Sequence, residues 1–394
     1  MKRLFILFII FVIPVSFLFS FDYGFLLDQK TDINKDLITF NPGISPWYSW
    51  NGGRNLTVDI SGTITFSYNY FTDNTIPNAW ADPSVIFELT RLSFRYTEGR
   101  SFFIDTGRIR YSDILGINVN GIFDGVFIQK EFSKGDFNAA LLYTGLQYKN
   151  TAKIVMNIGD EIRYAMPFVT RQDYFASERF LAAGRVIMPA AENNKLSLEA
   201  ILQFDLNGGN DRLYSQYAQI QYDIFGDSSI VSLGVIAELM ETSGGDFSTA
   251  AAAQFVWRTG SKSGNQGFRF TSRLGSGPHS DIFTSFVPVN SPALGEIFPF
   301  TISGNWLNRL NYEIRLSKTI FTDLSASYFI RTWSDDKEPG NLYGAEARAA
   351  FIWQPLDDLR FYFGGAMYMP SLGNIYPSNS DMQWIANAGF SLSM

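Results

Sequence analysis

The chain has 394 residues, a formal net charge of −7 and no cysteine. The acidic balance argues against a nucleic-acid partner, and the lack of cysteine excludes a disulfide framework, a lipid-anchored thiol and thiol chemistry. Its 37 Phe, 19 Tyr and 8 Trp are the side chains that membrane-crossing sheets place at their interfaces.

Residues 1–20 read as a secretory signal: Lys2 and Arg3 precede an apolar run from Leu4 to Phe19, with cleavage expected after Ser20. That run is shorter than the roughly 20 apolar residues of a membrane helix. Losing Lys2 and Arg3 would take the charge from −7 to −9. Residues 21–55, including FNPGISPWYSW, read as an N-terminal periplasmic or lumenal segment ahead of the sheet. Within it, NGGR at 51–54 offers a hairpin closure for Ile44–Trp50, which would raise the strand count.

From residue 56 the pattern changes to strict alternation. Leu56, Val58, Ile60, Ile64, Phe66, Tyr68 and Tyr70 share one parity, broken only by Gly62, and Thr57, Asp59, Ser61, Thr63, Thr65, Ser67 and Asn69 share the other. Successive side chains on a strand point to opposite faces, so this segment has one apolar and one polar face. It is also longer than the roughly 9–11 residues that a tilted membrane strand needs.

The same alternation predicts strands at 56–71, 85–97, 101–110, 122–132, 137–147, 179–190, 196–206 and 213–225. It continues at 230–241, 249–258, 267–276, 304–316, 323–333, 342–353, 358–368 and 382–394. Short, turn-rich links at 98–100, 133–136, 191–195, 226–229 and 354–357 alternate with longer ones at 72–84, 111–121, 148–178, 242–248, 277–303, 334–341 and 369–381. The link 259–266 is long for a turn. The expected fold is all-β: an antiparallel up-and-down transmembrane barrel over 56–394, with about sixteen strands, short periplasmic turns and longer external loops. A barrel of about 16–18 strands is too wide to be filled by its own wall.

With its signal, long alternating strands, turn-and-loop parity and terminal strand MQWIANAGFSLSM, the chain resembles the Gram-negative outer-membrane porins. The last strand puts Met382, Trp384, Ala386, Ala388, Phe390, Leu392 and Met394 on one face, though porins usually end in Phe. The resemblance implies an outer-membrane location, lipid contact, reading of the terminal strand by the barrel-assembly machinery, and passage of small hydrophilic solutes. It leaves a homotrimer open and implies no cofactor. The rival is a hydrophobic-substrate channel similar to the fatty-acid transporters, with 21–55 as a hatch. An adhesin or structural barrel is a third class.

Arginine on a lipid face near the midplane costs about 2–4 kcal/mol, so its parity identifies the interior. Arg258, Arg269, Arg273, Arg315, Arg331, Arg348 and Arg360 keep the polar parity of the late strands. Arg91 and Arg95 keep it on early ones, as do Arg108 and Arg110 if a bulge near Gly107 corrects the phase. Glu199, Asp205, Asp223 and Glu238 form an acidic wall between the groups. The competing reading is that such charges pair across strands and only hold the barrel together, as Glu313 beside Arg315 and Glu346 beside Arg348 suggest.

The segment 148–178 is then the third external loop, the one that narrows the channel in general porins, and Asp160, Glu161 and Arg163 become constriction residues. Loop 277–303, with Pro278, Pro288, Pro292 and Pro299, competes for that role. Trp257 and Trp353 are expected as anchors at periplasmic strand ends, and Trp306 and Trp384 at external ones. His279 stands alone, without a nucleophile elbow or zinc spacing, which leaves an enzyme little support. Asp335, Asp336 and Glu338 read as a solvated charge run rather than a calcium site.

Overall fold

The alternation runs through eighteen strands, and the sheet they form closes on itself. In the computed structural model the first six are β1 (Ser20–Asn34), β2 (Leu37–Asn51), β3 (Leu56–Phe71), β4 (Ser84–Glu98), β5 (Phe102–Ser112) and β6 (Asn120–Phe132). The next six are β7 (Gly135–Tyr143), β8 (Arg179–Ala191), β9 (Asn194–Asp205), β10 (Tyr214–Phe225), β11 (Ser229–Glu241) and β12 (Phe247–Gly260). The last six are β13 (Gln266–Gly275), β14 (Asn305–Arg315), β15 (Ile320–Arg331), β16 (Leu342–Trp353), β17 (Leu359–Met369) and β18 (Gln383–Ser393).

The structure describes residues 20–53, 55–72, 84–156, 160, 174–191, 193–206, 214–241, 245–261, 265–279, 283–290, 292–333 and 340–394. The signal ahead of Ser20, Glu161, Arg163, Asp335, Asp336 and Glu338 therefore lie outside the described residues.

Each strand pairs antiparallel with its sequence neighbours, and β18 pairs with β1 from Leu26↔Ser393 to Asn34↔Ile385. Phe25 N–H donates to Met394 O at 2.8 Å and Met394 N–H to Phe25 O at 2.9 Å, which completes the seam. Every strand predicted from the alternation is present, and both ends of the described chain lie at the short-turn end. The outer parity carries the exposed apolar side chains, among them Phe87, Leu141, Leu233, Leu310 and Phe363. Trp257, Trp306, Trp353 and Trp384 belong to this outer set, each near a strand end and partly exposed.

The N-terminal segment corrects the sequence reading. Residues 21–55 are not a hatch; they supply β1 and β2, and raise the count from about sixteen to eighteen. Proline weighs against a strand because it cannot donate to the ladder, and β2 contains Pro42 and Pro46. Here the β1 side of β2 is paired without a break from Ser20↔Asn51 to Ile33↔Ile38. On the β3 side the ladder skips both prolines and resumes in the same register, Phe40↔Tyr68, Gly43↔Thr65 and Trp47↔Ser61. A Ser45–Thr63 hydroxyl contact at 2.8 Å bridges one of the gaps.

Two phase assignments also change. No register shift occurs at Gly107, so Arg108 and Arg110 take the outward parity, opposite Leu92 and Ile122, rather than the inner one. Gly107 has φ +112, and a Cβ there would lie 2.0 Å from Leu92 O. Register shifts lie instead at Ser61/Gly62 between β3 and β4, at Pro189/Ala191 between β8 and β9, and at Gly344 (φ +129), where Phe329 pairs with Gly344 and Ile330 with Leu342. The last of these turns Tyr343 inward, although its parity in sequence is apolar-outward.

The β1–β2 link at 35–36 is now the first link of the long-loop end, so the third is 113–119, the fourth 144–178 and the seventh 276–304. Closure gives the first prediction. A Cβ on Gly389 would lie 2.3 Å from Gln29 O across the seam. Gly389→Val should abolish the fast-migrating unheated band of a closed barrel on SDS gels. Ala388→Val, on the outer face of the same strand, should keep it.

Candidate functional site

The third loop is apolar where a solvated loop would be polar. Leu115, Ile117 and Val119 are buried, which is possible only because 113–119 bends into the barrel. Asp113 N–H donates to Val119 O at 2.8 Å and Val119 N–H to Asp113 Oδ1 at 3.0 Å, closing the loop, and Gly116 supplies the turn at φ +63. Leu115 rests on β11 at Gly234, where a Cβ would be 2.0 Å from Leu115 Cδ2. Glu199 on β9 fixes the loop: its carboxylate accepts Ile114 N–H at 2.7 Å, Arg185 Nη2 at 2.9 Å and the Tyr111 hydroxyl.

The seventh loop is fastened in the same way. Val287 N–H donates to Glu238 Oε2 at 2.8 Å, and Tyr217 donates to Val287 O at 2.7 Å. Further on, Glu346 accepts the consecutive N–H groups of Glu296, Ile297 and Phe298 at 2.9, 2.9 and 3.0 Å. Phe298 is fully buried, stacked on Phe329 with ring centroids 3.9 Å apart and edge-on to Tyr343.

The fourth loop is held at β8 and β9. Its Asp160 pairs with Arg179, fully buried, which also donates to Asp205 Oδ1 at 2.8 Å. Val155 N–H donates to Val289 O at 3.0 Å, and Val289 N–H donates to Asn118 Oδ1 at 3.0 Å. All three loops therefore meet at Val289. The base of the fourth loop also covers a split in the wall, because β4 has no partner in β5 over residues 84–91. There Arg108 donates to Leu89 O at 2.6 Å and Leu146 O at 2.9 Å, Tyr174 donates to Phe87 O, and Thr151 to Glu88 Oε2 at 3.0 Å.

The predicted residues divide by what they touch. Arg91 pairs with Asp59 at 2.7 Å, Arg95 with Asp105, Arg108 with Asp124 at 2.8 Å, and Arg348 with Asp323 at 2.8 Å. Glu199, Asp205 and Glu238 are occupied by loops or by Arg179, and Asp223 accepts Gln221 at 2.8 Å. Arg331 is buried and lies over the Trp333 ring at 4.7 Å. Arg315 donates to the turn carbonyls of Ser317 and Lys318, and Arg360 to Gln354. Arg110 is exposed on the outer parity.

That leaves a strip on the inner face of β12–β14. Arg258 and Arg269 stand directly opposite each other, with Arg273 and Arg309 above them. Arg273 donates to Gln254 at 2.7 Å and Arg309 to Ser327 at 2.8 Å. None of the four is in an ion pair within 4 Å among the described residues. The sequence reading missed Arg179, Arg185 and Arg309 as inner residues. Leu181 and Ala183 share the inner face with the first two and hide its polarity. It also missed Asp22, Asp28 and Asp32 on the inner parity of β1, the last paired with Lys30 at 2.9 Å. Among the described residues no group of three His, Asp or Glu is placed to hold a metal ion.

No protein-family model and no curated protein matches the chain. Among solved structures it is similar to the outer-membrane protein OpdK from Pseudomonas aeruginosa, at 10% identity over 95% of this chain and 99% of that one, with a TM-score of 0.61. The same organism's OprD is similar at 12% identity over 95% and 96%, with a TM-score of 0.56. OpdK solved with vanillate gives 11% identity over 95% and 99%, with a TM-score of 0.60. The chain has a porin-like barrel fold. At these identities the likeness is one of fold alone.

The three-donor seat on Glu346 is testable. Each buried N–H left without a partner costs about 1–3 kcal/mol. Glu346→Ala should release the seventh loop and bring faster protease cutting near Glu296. Unchanged cutting would mean that Phe298 packing alone holds the loop.

Proposed function

We propose that the chain is an outer-membrane channel for passive diffusion of small hydrophilic solutes, and that it favours solutes bearing an acid group. The observation that carries this reading is the strip of Arg258, Arg269, Arg273 and Arg309, unmatched by any ion pair among the described residues inside a closed barrel. Like charges placed directly opposite on neighbouring strands destabilise a sheet. The Arg258–Arg269 pair is eased whenever an anion passes between the two. Partly buried charge is poorly screened, so the strip also draws anions from solution at physiological salt.

The acids of β1, on the far side of β15–β18, give the interior a second strip of opposite sign. A solute with a carboxylate and a positive or hydroxylated end would be oriented between the two. OpdK, one of the barrels of similar fold, has been solved with vanillate, a small carboxylate. The third loop and the apolar seventh loop supply the narrowing, with Asp160 in the fourth. The remaining part of this reading is export by residues 1–20 and assembly through the terminal strand, which here pairs with β1. The hatch-bearing alternative loses its hatch, since 21–55 are wall.

A planar-bilayer recording of the purified protein tests the proposal. Under a salt gradient the wild type should conduct with mild anion preference. Replacing Arg269 and Arg273 together by glutamine should move the reversal potential toward cation preference. A silent bilayer, or reversal potentials that ignore both arginines, would overturn the reading.

A further inference from the structure

The pocket that receives the third loop brings two acid groups, Glu199 and Asp113, close together. Glu199 from β9 is matched by Arg185 from β8 at 2.9 Å and is further satisfied by Tyr111 from β5 and by Ile114 N–H. Asp113, at the foot of the loop, shares that pocket and is buried. Its Oδ1 accepts Val119 N–H, while its Oδ2 is buried with no hydrogen-bond partner among the described residues. The charged and titratable groups acting on Asp113 are Glu199, Arg185, Tyr111 and, from β13, Arg273. Arg185 is spent on Glu199, and neither Arg185 nor Arg273 forms an ion pair with Asp113 within 4 Å among the described residues.

We propose that Asp113 is a proton-operated latch for the third loop. As a neutral acid it seats 113–119 against β9 and β11; once ionised it loosens that seat and widens the passage. A neutral carboxyl can stay buried with one oxygen unpartnered at modest penalty, whereas a carboxylate in the same place leaves a bare charge. Because Asn118 binds Val289, a loosened third loop also slackens its contact with the seventh.

The direction of the pH effect follows from the environment. Burial, then the Glu199 charge, pushes the Asp113 carboxyl up to about 7, against the opposing pull of the Val119 and Asn118 N–H groups and Arg185. A released loop would carry Asp113 near the ordinary value of about 3.9. The seated loop therefore binds the proton more tightly. Its extra stability is fully present below about pH 4, is lost as pH rises, and is gone above about pH 7. Between pH 5 and pH 8 seating should weaken by up to about 100-fold.

The consequence for conduction rests on the channel reading, so the test follows the loop directly. The chain has no cysteine, so Leu115→Cys places a single thiol beneath the loop. Its labelling rate by a thiol reagent is divided at each pH by the rate in Leu115→Cys with Asp113→Asn, which cancels the thiol's own titration. The ratio should rise at least ten-fold from pH 5 to pH 8 and level off near pH 7. Glu199→Gln, which removes the neighbouring charge and frees Arg185, should move the levelling point to lower pH. A flat ratio, or a levelling point that ignores Glu199→Gln, overturns the latch. A silent bilayer together with a rising ratio supports the latch and overturns only the channel reading.

Discussion

An open sheet edge leaves backbone groups unpaired, and closing that edge shapes the rest of this molecule. The seam between β18 and β1 is its direct expression: the terminal residue exchanges both backbone hydrogen bonds with Phe25. Closure sets the number of strands, and the number of strands sets the bore. Eighteen strands enclose more space than inward side chains can fill. The chain therefore spends its longer links on the interior instead of leaving them all as caps.

Filling a polar bore with apolar loops requires fasteners, and the chain uses buried carboxylates on the wall. Glu199, Glu238 and Glu346 each accept backbone N–H groups from a loop, the role that N–H-rich turns offer any carboxylate. Most of the inner acids hold loop N–H groups or pair with arginines. The strip on β12–β14 is different, because its charges hold no loop apart from the contact of Arg309 with Leu294 O. A net acidic chain thus carries an arginine strip on the inner face of its barrel.

Parity carried the fold well because it is a local signal: an apolar outer face and a polar inner one alternate residue by residue. β3 and β16 have the bounds that alternation predicts. The signal failed where another element compensated for a local fault. Pro42 and Pro46 disqualify β2 when read alone, yet their missing donors fall on the β3 side while β1 pairs throughout. At Gly107 the reading trusted the cost of an outward arginine. Arg108 avoids that cost by burial, paired with Asp124 and covered by the base of the fourth loop. The site was less legible still. Which carboxylate meets which loop depends on contacts such as Glu199 with Ile114 and Glu346 with Phe298, far apart in sequence and set only once the barrel has closed. With β1 and β2 in the wall, the third loop is 113–119 rather than 148–178.

The interior loops behave as one body because of where Val289 sits. Its N–H is shared between the backbone and side-chain oxygens of Asn118 in the third loop, and its carbonyl accepts Val155 N–H from the fourth. A residue this buried cannot exchange those partners for water without moving all three loops. The hydrogen bonds of Val289 thus tie the three loops to one another. The split between β4 and β5 fits the same logic. β4 is unpaired with β5 over its residues 84–91. On that edge the Tyr174 hydroxyl of the fourth loop donates to Phe87 O and the Arg108 guanidinium to Leu89 O, while Thr151 donates to the Glu88 carboxylate. The fourth loop thus touches both the inner loops, through Val155, and the wall at β4, through Tyr174 and Thr151.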